Sequence, residues 1–102
     1  EVIDPRTLVP LDSPTLIESA AKTGRVMIVH EAHRRAGPGA EIAAVIAEQA
    51  VEYLDAPILR VAARNVPLPY SPTLEQVVLP STEDILAAAH QLLKGVKNHA
   101  AV

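Results

Sequence analysis

The sequence predicts a small three-layer α/β/α domain with a largely parallel sheet, and three observations carry that prediction. Apolar runs of strand length alternate with amphipathic runs of helix length. Val26-Met27-Ile28-Val29 has four consecutive apolar residues, the pattern of a strand covered on both faces. Pro and Gly stand where one run ends and the next begins, as helix starts and stops require.

The elements follow in order. Val2 and Ile3 mark a short buried strand over Glu1 to Asp4, ended by Asp4-Pro5 because the residue before Pro is held extended. Arg6 to Leu11 connects it to a helix that starts at Ser13 as N-cap with Pro14 in the first helical position. Leu16, Ile17, Ala20 and Ala21 form its inner face, Lys22 lies in its last turn, and Gly24 supplies a left-handed cap. The central strand spans Arg25 to His30, with Met27 a core filler. A long helix spans about Gly39 to Leu54 and buries Ile42, Val45, Ile46, Ala50, Tyr53 and Leu54. Asp55-Ala56-Pro57 stops it. Ile58 to Ala63 is the third strand, with Arg60 at an edge or paired.

Asn65 to Pro72, with Pro67, Pro69 and Pro72, reads as a stiff extended loop that carries Tyr70 and offers an interface edge or closes over the sheet. Val77-Val78-Leu79 reads as a short edge strand. Ser81 and Asp84 form a capping-box-like start for a last helix with Ile85, Leu86, Ala89, Leu92 and Leu93 inside. The domain is expected over residues 1–94 and a frayed tail over 95–102.

Composition narrows the function. With 102 residues and no Phe or Trp, the chain holds one aliphatic core. A net charge of −3 gives no basic footprint for nucleic acid. The absence of Cys excludes a disulfide framework and a thiolate nucleophile or ligand, and fits a reducing compartment. No apolar run is long enough to span a bilayer and no signal-peptide pattern opens the chain. The start on an apolar strand pattern without Met reads as a piece of a longer polypeptide.

Ligands of open parallel sheets sit beyond the carboxyl ends of the strands, so His30, Glu31 and the following loop are the first candidates. His30 with Glu31 offers general acid–base chemistry; the plainer reading is a histidine bonded to a neighbouring domain and a glutamate neutralising an arginine. His30 and His33 lack the helical spacing and the third ligand of a zinc site. Arg34 and Arg35, with Gly37-Pro38-Gly39 before a helix N-terminus, are anion-binding candidates. The Lys-Ser/Thr ending of a phosphate loop is missing, so glycines for tight packing are the plainer reading. Glu48, Glu52 and Asp55 crowd a helix carboxyl end, where the dipole disfavours anions. Glu48 and Glu52 also repel each other at i, i+4 spacing. They form either an acidic docking patch or an ordinary solvated face.

Six blocks occur in order: Glu1 to Leu11, Val29 to Ala32, Gly39 to Ala44, Leu54 to Val61, Val66 to Tyr70 and Leu79 to Ile85. Together they resemble the transketolase-type C-terminal domain of the beta subunits of thiamine-diphosphate-dependent 2-oxo acid dehydrogenases, of pyruvate or branched-chain type. The loop His33-Arg34-Arg35-Ala36-Gly37-Pro38-Gly39 departs from that family's usual Pro-Arg-Thr-Gly-Gly-Phe-Gly, and the family's domain begins a strand and helix earlier.

The resemblance implies an α2β2 parent that decarboxylates a 2-oxo acid and passes the acyl group to lipoyl. Thiamine diphosphate and Mg would be bound elsewhere than on this domain, which would be non-catalytic alone. Its partners would be the alpha subunit, a second beta subunit and the basic peripheral subunit-binding domain of a dihydrolipoyl acyltransferase. That last partner makes Glu48, Glu52 and Asp55 docking candidates. The compartment would be bacterial cytoplasm or, in a eukaryote, the mitochondrial matrix. The alternatives are the matching domain of another transketolase-like enzyme, such as deoxyxylulose phosphate synthase, or a free-standing anion-binding α/β module. As an isolated domain the chain is expected to dimerise or be marginally stable.

Overall fold

A computed structural model describes residues 1–94. Four helices, α1 (Ser13–Thr23), α2 (Pro38–Ala50), α3 (Pro72–Val78) and α4 (Thr82–Lys94), accompany two strands, β1 (Met27–His33) and β2 (Leu59–Ala63). The strands pair in parallel, Met27 opposite Leu59 and His33 opposite Ala63, with an irregularity between Val29 and His33. α1 packs on α2, and α2 and α4 both pack on the strands. The core is small and aliphatic: Ala20 from α1 and Ile42, Ile46 and Ala50 from α2, with Ile28 and Ile58 packed against them.

Most starts and stops are local chemistry. Gly24 adopts φ 71°, ψ 0°, and its N–H donates to the Ala20 carbonyl at 2.8 Å, closing α1 with the left-handed cap its position predicts. Ser81 and Asp84 make the reciprocal box. The Ser81 amide donates to Asp84 Oδ2 at 2.9 Å and the Asp84 amide to Ser81 Oγ at 3.1 Å. These bonds, the Ser81 amide first, hold the Asp84 carboxyl below its ordinary value of 3.8.

Several expectations are corrected. Glu1 to Asp4 is not a strand, and Val2 is 99 % exposed, because an apolar pair extends a sheet only where a neighbour presents a free edge to it. The sheet therefore has two strands among the described residues, not three. Asp12, not Ser13, caps α1: its carboxylate accepts from both the Thr15 amide (3.3 Å) and the Thr15 hydroxyl (2.7 Å). β1 runs three residues past His30, and it is not covered on both faces, since Val29 is exposed and Met27 only half-buried. α2 ends at Ala50, and its C-cap residue, Val51, opens a 3-10 turn over Val51–Tyr53, so Tyr53 lies 57 % exposed instead of inside.

Val77 and Val78 belong to a helix rather than an edge strand, because Ser71-Pro72 opens α3 and Val78 is its buried residue. On α4 the sheet-facing side is Ile85, Ala88, Ala89 and Leu92, leaving Leu86 and Leu93 exposed. Arg25 donates to the carbonyls of Leu92 (2.5 Å) and Leu93 (3.3 Å), a cation at the helix carboxyl end where the dipole favours it. The expected tail, 95–102, lies outside the described residues.

Two outcomes test these joints. Gly24→Ala combines a positive φ with a Cβ that meets the Asp55 carboxylate and the Tyr53 carbonyl. It is expected to lower stability by about 1–3 kcal/mol in urea unfolding. Asp84→Ala is expected to cost about 1 kcal/mol at neutral pH. A depressed carboxyl contributes stability above its ordinary range and loses it as pH falls through the lowered value. The difference between Asp84→Ala and wild type should therefore shrink on acidification, read from melts across the acid limb.

Candidate functional site

The first candidate pair is separated. His30 and Glu31 are neighbours on β1, but His30 lies against Gly37 and Gly39 whereas Glu31 borders the cleft by α3 and α4. His30 is half-buried and faces α2: its Nδ1–H donates to the Ala32 carbonyl at 3.0 Å, and a carbonyl only accepts, so that nitrogen carries the proton. The rest of the ring lies against the start of α2. A Cβ on Gly39 would sit 2.7 Å from His30 Cδ2 and closer still to Nε2, and one on Gly37 would meet the His33 carbonyl. The loop glycines are therefore packing glycines that admit the imidazole and the backbone turn. Glu31 instead borders an acidic cleft with Glu75 and Glu83 on the α3–α4 side. The two residues do not converge on one reacting atom.

The arginines are divided in the same way. Arg35 is exposed, and its backbone N–H donates to Asn65 Oδ1 at 2.8 Å. Arg34 is held by its own amide on the Ala63 carbonyl (3.1 Å) and by its carbonyl, which accepts from Arg60 Nη1 at 2.7 Å. Arg34 borders a cleft of about 350 Å³ against α4 together with Arg60 and Arg64. Sequence reading missed this grouping; its signal was an arginine directly after each strand, at 34 and at 64.

A second cleft, about 370 Å³, runs along β1 between the N-terminal segment, α1 and α2, with Leu8, Leu16, Met27 and Ile42 on its walls and His30 at its border. The acidic candidates Glu48, Glu52 and Asp55 are all exposed. Only Glu48 is in α2; Glu52 lies in the 3-10 turn, so the expected i, i+4 pair does not form on one helix. The last turn of α2 carries no basic residue. Asp55 is engaged locally, its amide on the Gly24 carbonyl at 2.7 Å and its carboxylate over Gly24.

Among the described residues no three His, Asp or Glu side chains converge as a metal site requires. No helix among the described residues is long and apolar enough to cross a membrane. The geometry defines an α/β domain built on one parallel strand pair, with a packed strand–loop–helix turn where an acid–base pair was sought.

Its particular family follows from comparison: residues 1–85 match the family described as Transketolase, C-terminal domain, and the chain belongs to it. The chain is 48 % identical over 92 residues to the pyruvate dehydrogenase E1 component subunit beta of Rickettsia bellii, covering 90 % of this chain and 28 % of that protein. It is 47 % identical over 88 residues to the protein of the same name from Rhizobium meliloti, covering 86 % and 19 %. It is 44 % identical over 98 residues to the acetoin:2,6-dichlorophenolindophenol oxidoreductase subunit beta of Cupriavidus necator, covering 96 % and 29 %. The chain thus spans less than a third of the length of these relatives.

The His30–Gly39 contact makes a sign-reversing prediction. Gly→Ala in the first turn of a helix ordinarily stabilises by up to about 1 kcal/mol. Gly39→Ala is expected to destabilise by about 1–3 kcal/mol, as overpacking does. His30→Ala should relieve part of that loss. A double-mutant cycle by urea unfolding reads the coupling.

Proposed function

We propose that this chain is the C-terminal domain of the beta subunit of the decarboxylating component of a 2-oxo acid dehydrogenase, acting in subunit assembly and partner docking rather than in chemistry. The observation that carries the assembly role is the distribution of apolar surface. Among the described residues the sheet has two strands, the core cluster is four small or medium aliphatic residues, and large apolar side chains such as Val9, Leu86 and Leu93 remain exposed. Large apolar groups left exposed beside so small a core are the chemistry of a surface covered by another polypeptide.

The relatives support the identity of the parent: two pyruvate dehydrogenase beta subunits and an acetoin oxidoreductase beta subunit share close to half of their aligned residues with this chain. On this reading the parent carries thiamine diphosphate and Mg on other domains and pairs this subunit with an alpha subunit and a second beta subunit. The acyl group passes to the lipoyl of a dihydrolipoyl acyltransferase. The acetoin-type relative keeps a second reading open for the substrate, namely cleavage of acetoin by the same class of enzyme. The compartment on the first reading is bacterial cytoplasm or the mitochondrial matrix.

For docking, the exposed acidic segment around Glu48 and Glu52 is complementary to a basic partner, and charge of this kind steers association. The test is a calorimetric titration of the assembled enzyme with the peripheral subunit-binding domain of a dihydrolipoyl acyltransferase at low and high salt. Glu48→Lys/Glu52→Lys is the variant of choice, because Asp55 also supports the Gly24 turn. Binding is expected to weaken about tenfold in the variant and to fall with salt in the wild type. Binding that is indifferent to both would remove the acidic segment from the interface.

A further inference from the structure

The two strands end beside each other, and each is followed at once by an arginine. His33 is the register partner of Ala63, so Arg34 and Arg64 stand side by side just past the carboxyl ends of β1 and β2. Backbone bonds fix both: the Arg34 amide donates to the Ala63 carbonyl at 3.1 Å, and the Arg64 amide to the Val78 carbonyl at 3.0 Å. Arg60 joins them from within β2, half-buried, with Nη1 on the Arg34 carbonyl at 2.7 Å. All three border the same cleft of about 350 Å³ against α4, with Gln91 at its side and the apolar Val61 and Ala87 on its wall.

The charge there is unbalanced. Among the described residues the lining holds one carboxylate, Asp84, which accepts from the Ser81 amide and feels the Arg64 guanidinium, so three cations face a single anion. Among the described residues the ion pairs are Arg6 with Asp4 and Lys22 with Glu1, both elsewhere, so none of the three guanidinium groups has a carboxylate within 4.0 Å. Three like charges around one concavity repel, and that arrangement is relieved by an anion between them. The position beyond the strand ends is where open parallel sheets bind ligands, and the cleft volume is at the small end of ligand sites. Guanidinium forks match the paired oxygens of carboxylate and phosphate. We propose that Arg34, Arg60 and Arg64 form a binding site for a small oxyanion, a phosphate or a short-chain carboxylate.

The experiment is a calorimetric titration of the intact protein with sodium phosphate and, separately, sodium butyrate, ionic strength held constant with chloride. One saturable site is expected for at least one anion. Binding of phosphate alone assigns a phosphate ligand, and binding of butyrate alone a carboxylate that uses the apolar wall. Affinity should fall about tenfold or more in Arg64→Gln and in Arg34→Gln, and further in the double variant. Arg35→Gln should bind as wild type, since Arg35 lies outside the cleft. Arg60→Gln also removes the bond to the Arg34 carbonyl, so the other two variants decide the matter if it fails to fold. A folded wild type that binds neither anion saturably, or a double variant that binds as well as wild type, overturns the site.

Discussion

The hydrogen bond from the Asp55 amide to the Gly24 carbonyl, 2.7 Å long, fastens together the two turns that feed the parallel strands. Parallel pairing needs the chain to leave β1, cross the sheet and return to the same end. α2 has 13 residues and β1 has 7, which at their respective rises are both on the order of 20 Å. The crossover is therefore just long enough, and the tight turn over Val51–Tyr53 spends the last residues bringing the chain back to Gly24. Once Asp55 is anchored there, the Leu59 amide meets the Val26 carbonyl at 3.1 Å and the register Met27–Leu59 follows. The left-handed Gly24 makes this approach possible, because any Cβ would occupy the space of the Asp55 carboxylate.

The fold was legible where its cause is local. Gly24 and the Ser81–Asp84 box act through atoms a few residues away, and each is where the sequence puts it; of the prolines in first helical turns the sequence marks Pro14 but not Pro72. The same tetrapeptide, Ser-Pro-Thr-Leu, opens α1 at Ser13 and α3 at Ser71. At the second occurrence the β-branched pair Val77-Val78 has strand character but lies in the helix, since strand preference is set by packing more than by the backbone. What was not legible depends on neighbours distant in sequence. Val2 and Ile3 have strand character, but pairing is decided by an edge elsewhere. Leu86 and Ala88 exchange the places expected for them because β2 is approached by the alanines of α4, whose small side chains let the helix lie close.

The candidate site divides along the same line. Adjacent residues were grouped by sequence, His30 with Glu31 and Arg34 with Arg35, and the fold sets each pair apart. Residues 26 and 30 positions apart, Arg34 with Arg60 and Arg64, are gathered by the strand register instead. The repeated feature, a basic residue immediately after each strand, is visible in the sequence only once the strand ends are known, and β1 ends three residues later than its apolar run implies.

The apolar surface bears on what kind of object this domain is. Leu8 and Val9 lie near the cleft along β1, Val51 and Tyr53 at the end of α2, and Leu86 and Leu93 on the outer side of α4, so exposure is spread over several faces. On the proposed assembly reading, exposure on several faces would fit a domain with several neighbours better than one with a single partner. The interior points the same way. Among the described residues its buried apolar side chains are Ala, Ile and Val, with no large one fully enclosed, and a core of that size offsets only part of the conformational entropy of ordering the chain. On the same assembly reading, contacts made by the exposed leucines, valines and tyrosines would add the stability that Ala20, Ile42, Ile46 and Ala50 do not supply, and folding and assembly of this domain would be one coupled equilibrium.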